Sequence, residues 1–93
     1  MNLEKSQKRL NKLHKRGFHG YPLIEIQYFG ETPDLATKVV INFTPEEGSD
    51  KFAENFTSSK DIRFDEAVQT TLLKIIDRVQ AKSVMILSEV AKL

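Results

Sequence analysis

Cysteine is absent from the 93 residues, so disulfides, thiol nucleophiles and thiolate metal sites are excluded, and the chain suits a reducing compartment. No apolar run approaches the roughly 18–20 residues that cross a bilayer, and no apolar segment of the secretory-signal kind follows the charged amino terminus. A cytoplasmic protein with no membrane partner is expected. Glycine is scarce, and its four copies stand singly at positions 17, 20, 30 and 48, which excludes a GxGxxG turn or another phosphate-cradling loop. No cofactor is expected. Histidine occurs only as His14 and His19, five apart, a spacing that suits neither the i, i+4 pair of a helical zinc site nor a zinc-finger pattern.

What remains is the material of one small domain. Usual domain sizes of about 100–200 residues leave no room for a second core. Hydrophobic residues at 40% and charged residues at 29% lie near the averages for soluble globular chains, so the protein should fold. A chain this short buries only about 60–65% of its unfolded surface, and pairing with a second copy is one source of added stability. Charge is divided unevenly: residues 1–16 carry Lys5, Lys8, Arg9, Lys12, Lys15 and Arg16 against Glu4 alone, whereas residues 17–93 carry eight basic and twelve acidic side chains. The expected organisation is a basic helix or arm over residues 1–16 ahead of a single α+β domain over residues 17–93. A basic arm can meet phosphate, an anionic surface, its own domain or a twin subunit.

Periodicity supplies the elements. Leu3, Leu10 and Leu13, at spacings of seven and three, line a narrow helical stripe that should end near Arg16, where Gly17, Gly20 and Pro22 provide a stop and a turn. From Tyr21 to Phe29 the residues alternate, with Ile24, Ile26 and Tyr28 on one face and Leu23, Glu25, Gln27 and Phe29 on the other. Turn chemistry from Gly30 to Asp34 joins this strand to a second, Thr37 to Phe43, with Val39, Ile41 and Phe43 on one side, giving an antiparallel hairpin. A short third strand is expected from Lys51 to Thr57, followed by a loop to Arg63. Val68, Leu72, Ile75, Ile76 and Val79 mark one face of a helix capped by Asp65, with Glu66 at its start and Arg78 and Lys82 at its end, the signs that its dipole favours. The run Val84-Met85-Ile86-Leu87 predicts a closing strand covered on both faces. The fold class is α+β: a hairpin, a short third strand, one packed helix and a closing strand, preceded by the basic helix.

Tyr21-Pro22, Tyr28-Phe29-Gly30, Ala36-Thr37-Lys38-Val39-Val40, Glu47-Gly48, Asp61-Ile62-Arg63 and Ala81-Lys82-Ser83-Val84, in that order, resemble a family of small bacterial proteins of uncharacterised function. The resemblance runs from about Tyr21 to Val84. It implies the closing strand at Lys82–Leu87 and brings no assigned activity. Longer members of that family look as if they continue into a Cys- and His-containing tail resembling a metal site, and with no cysteine here no metal role carries over.

No catalytic constellation is marked. A histidine base must be held within hydrogen-bond reach of its nucleophile, and both histidines lie in the basic segment and its turn. Asp61, Asp65 and Glu66 could gather a hard cation, but Arg63 among them reads instead as a helix cap with a local ion pair, and Glu46, Glu47 and Asp50 around Gly48 read as a solvated loop. The sequons Asn42-Phe43-Thr44 and Asn55-Phe56-Thr57 read as chance without an export signal. The second face of the strands is more informative. Tyr21, Leu23, Phe29 and Val40 project away from the expected core, and such a patch points to cover by the amino-terminal helix or to a symmetric subunit contact, with ordinary scattered surface hydrophobes as the alternative. The expectation is therefore a small non-catalytic interaction module, homodimeric through the sheet. The alternative is a nucleic-acid-binding accessory whose contacts are Lys5, Lys8, Arg9, Lys12, Lys15 and Arg16, bound by counterion release without base readout.

Overall fold

Alternation in the two central runs builds the middle of the sheet. Strands β1 (Leu23–Gly30) and β2 (Lys38–Thr44) pair antiparallel, setting Ile24 opposite Phe43, Ile26 opposite Ile41 and Tyr28 opposite Val39. Paired residues point to the same side, so one face becomes continuously apolar. The computed structural model, which describes residues 3–93, adds β3 (Phe52–Thr57) antiparallel to β2 at one edge, continuing that face with Phe56 beside Val39. Helix α2 (Glu66–Val79) then carries the chain across the sheet to β4 (Ser83–Lys92), which lies parallel to β1. The strand order is β3-β2-β1-β4. The fold is thus the α+β arrangement expected from the sequence, with a four-stranded mixed sheet.

Helix α1 (Leu3–Lys15) packs against α2 and β4 on the apolar side of the sheet. Leu10, 2% exposed, joins Ile24, Ile26, Leu72, Leu73 and Val84 in a common core. Residues 1 and 2 of the expected arm lie outside the described residues. Close approach of the two helices rests on small side chains, since Ser6 is fully buried and its Oγ lies 3.4 Å from Thr70 Oγ1. At the end of α1, Gly17 takes a φ of +72° and donates its N–H to the His14 carbonyl, a helix stop that only glycine adopts without strain.

The core stripe of α2 is Gln69, Leu72, Leu73 and Ile76, with Val68, Ile75 and Val79 half-buried at its flanks. This shifts the stripe toward one side of the face expected from the sequence. Asp65 caps the helix, accepting from the Val68 N–H, and the 3₁₀ turn Ile62–Phe64 replaces the expected loop before it. The expectation that β4 is covered on both faces is corrected. It is an edge strand: Val84 and Ile86 face the helices, Met85 lies on the opposite side, and Leu87, 48% exposed, falls where the register with β1 shifts between Ile26 and Tyr28. The crossover through α2 places β4 beyond β1 at the edge of the sheet, with α1 packed against it.

Candidate interaction surfaces

Three surfaces stand out, and each follows from how α1 sits. At about 3.6 residues per turn, docking Ser6, Leu10 and Leu13 inward turns Lys5, Lys8, Lys12, Lys15 and Arg16 outward on the opposite side, with Arg9 beside them. All six cations are exposed, five on α1 and Arg16 in the turn that follows it. Lys8 Nζ lies 3.0 Å from Glu4 Oε1, and Arg9 Nη2 lies 2.6 Å from Asp77 Oδ1. Surface pairs of this kind are worth about 0–1 kcal/mol, so either cation can exchange its partner for a stronger anion. Lys12, Lys15 and Arg16 cluster at the carboxyl end, where positive charge is favoured by the helix dipole.

His14 is not merely solvated, as its basic surroundings suggest. Its Nδ1 accepts the backbone N–H of Ile86 at 3.0 Å, which satisfies a donor on the outer edge of β4. His19 donates its backbone N–H to Ser83 Oγ at 2.7 Å, and its ring Nε2 lies 2.5 Å from the Arg16 carbonyl.

The second surface is the sheet face away from the helices. It carries Leu23, Glu25, Gln27 and Phe29 from β1, Lys38, Val40 and Asn42 from β2, Ala53 and Asn55 from β3, and Met85 and Ala91 from β4. Leu23, Phe29 and Val40 are half-buried among these neighbours, with Lys38 Nζ 5.9 Å from the centre of the Phe29 ring. Tyr21 stands apart from them: it lies in the turn before β1, edge-on to Phe18, with ring centres 5.4 Å apart. The sequence-derived set therefore divides into three sheet residues and one turn residue.

The third surface, which sequence reasoning missed, is a pocket of about 340 Å³ between α1, α2 and β4. Leu10 and Ile86 form its apolar walls, and Tyr28, Gln69, Gln7 and Arg63 supply polar groups. Gln69 is 2% exposed and donates through Nε2 to Tyr28 Oη and to the Ile62 carbonyl, each at 3.2 Å. Burial pushes the Tyr28 phenol above its ordinary pKa, against the opposing pull of the Gln69 hydrogen bond, so the hydroxyl keeps its proton. Beside it, Asp61 grips Arg63 through Nε at 2.9 Å and Nη2 at 2.5 Å. The Arg63 hydrogen bond holds the Asp61 carboxyl below the usual range despite burial, and the same bond raises Arg63. The only sequence signal for this pocket was Gln69 itself, polar at three and four residues before Leu72 and Leu73 on the core stripe.

Asp65 is occupied as the α2 cap, and no group of three or more metal-ligating side chains occurs among the described residues. No helix among the described residues is long and apolar enough to cross a membrane. No family model, curated protein or solved structure matches the chain.

Proposed function

We propose that this chain is a non-catalytic interaction module of the cytoplasm that pairs with a second copy through the open face of its sheet. One observation carries the reading. Of the covers considered for the second face, the amino-terminal helix is taken up elsewhere, since α1 packs on the other side with α2, and a subunit contact is favoured over scattered surface hydrophobes by the grouping of Leu23, Phe29, Val40 and Met85 on one face. Leu23, Phe29, Val40 and Met85 are half-buried on this face, whose Leu23 end is closed by the 17–20 turn through Ser83, while Glu25, Gln27 and Asn42 between them give the mixed polarity usual in separable interfaces. Both histidines are engaged with backbone groups, which supports a role without acid–base chemistry. Sedimentation equilibrium from about 10 µM to 1 mM tests the pairing, a range set by the weak affinity of small polar interfaces. The mass should rise toward two chains and return to one in Val40→Glu. A single-chain mass at every concentration refutes it.

The cationic side of α1 favours a second reading, binding of a nucleic-acid backbone. Lys5, Lys8, Arg9, Lys12, Lys15 and Arg16 share the exposed side of α1 and the turn that follows it, and no aromatic group lies among them to stack on bases or insert into lipid. Binding should weaken steeply with salt. Fluorescence anisotropy with a labelled duplex at two salt concentrations tests it, using Lys12→Glu/Lys15→Glu so that docking of α1 is kept. Salt-independent binding, or binding unchanged by the double substitution, counts against it.

A further inference from the structure

We propose that the pocket between α1, α2 and β4 binds a planar lactam of the nucleobase type, recognised by a donor from Tyr28 and an acceptor from Gln69. Ile62 fixes the amide of Gln69: its carbonyl can only accept, so Nε2 must face it, and the second Nε2 hydrogen goes to Tyr28 Oη. Both Nε2 hydrogens are then used. Among the described residues no group donates to Gln69 Oε1, and Gln69 lines the pocket. Tyr28 Oη accepts from Gln69, and its own proton has no acceptor among the described residues. Tyr28 is 8% exposed and Gln69 2%. A donor and an acceptor, each left open on nearly buried side chains, are an arrangement that a ligand or water must complete.

The two open valences define the complement. Tyr28 offers O–H to a carbonyl and Gln69 offers C=O to an N–H, and a lactam edge presents those two groups side by side on one rigid plane. Leu10 and Ile86 provide the apolar walls between which a flat ring can lie. Arg63 adds no net demand for an anion, because Asp61 neutralises it. A volume of about 340 Å³ takes one such ring with a small substituent.

The test is a titration of the ¹⁵N-labelled protein followed by NMR, with uracil and 1,3-dimethyluracil as the matched probes. Uracil should shift the Gln69 side-chain amide and the Leu10 and Ile86 backbone signals at millimolar concentration, as suits so small a ligand. Dimethyluracil keeps the ring and both carbonyls but has no N–H, and should bind at least about tenfold more weakly because Oε1 then stays unpaired. Tyr28→Phe retains the ring in the core and removes the donor, and Gln69→Leu removes the acceptor. Each should weaken uracil by about tenfold or more. If Gln69→Leu loses signal dispersion, Tyr28→Phe alone decides. Equal binding of the two probes, unaltered binding by Tyr28→Phe, or no shift with uracil overturns the assignment.

Discussion

Replacing Gly30 by alanine isolates a steric requirement from a conformational one. Gly30 lies outside the left-handed region that Gly17, Gly20 and Gly48 occupy, so its backbone alone would accept any residue. Space is the obstacle. A Cβ there would lie 2.0 Å from the Leu35 carbonyl oxygen and 3.0 Å from its carbon, so the turn from Gly30 to Leu35 must retreat by more than about 1 Å. That turn is anchored on both sides: Thr37 donates to the Phe29 carbonyl at 2.9 Å, Ile62 to the carbonyl of fully buried Ala36 at 2.7 Å, and Leu93 to Gly30 at 3.1 Å. Overpacking costs about 1–3 kcal/mol and each weakened backbone bond about 1 kcal/mol, against about 0.4–1 kcal/mol gained from a stiffer unfolded chain. The net loss is about 2–4 kcal/mol. A 93-residue domain has about 5–14 kcal/mol in total, and at about 4–8 °C per kcal/mol Tm should fall by roughly 8–32 °C. Thermal melts by circular dichroism check this, with Gly48→Ala as the control. Gly48 has a φ of +77° and no neighbour within 4 Å, so its substitution should cost only about 1 kcal/mol. If Gly30→Ala melts within about 3 °C of the parent, or is the milder of the two, the close-approach argument is wrong.

Three further outcomes follow from single groups. Gln80 ends α2 at φ 53°, ψ 49°, with its N–H on the Asp77 carbonyl and that of Ala81 on Ile76, so Gln80→Gly should stabilise by about 0.5–1 kcal/mol, read as a higher urea midpoint. Thr44 is 5% exposed with an Oγ1 that has no partner, and Thr44→Val should be neutral to stabilising by about 1 kcal/mol, where a clear loss of Tm would show that the hydroxyl is in fact satisfied. Asp61 titrates below its unfolded value because Arg63 holds the carboxylate, so its stabilisation is complete above about pH 4 and is lost as pH falls through the lower, folded value. Asp61→Asn should therefore flatten the acid limb of a plot of urea midpoint against pH and leave its neutral slope unchanged.

Elements whose own side chains determine their surroundings were legible in the sequence. The alternation of Ile24, Ile26 and Tyr28 with Glu25 and Gln27 fixes both the strand and its inner face, and Asp65 announces the start of α2 through an N–H it must satisfy. The environment of Val84-Met85-Ile86-Leu87 was not legible, because an apolar run reports its own preference for burial but not which neighbours supply it. The crossover made it an edge. The cationic side of α1 was visible as composition, whereas its docking rests on Ser6, a small polar residue with no hydrophobic signature. The pocket was least visible, since Tyr28 and Gln69 lie 41 residues apart and meet only when the helix closes over the sheet.

The parallel pairing of β4 with β1 also orders events during synthesis. Strands β1, β2 and β3 are consecutive antiparallel neighbours and can zip together as they leave the ribosome, but the outer edge of β1 stays open until α2 and then β4 have emerged. For that interval Ile24 and Ile26 lie beside an unpaired backbone edge, a template for any other nascent strand. Slowing translation between Glu66 and Ser83 with rare codons should lengthen that exposure and raise the aggregated fraction without altering the finished protein.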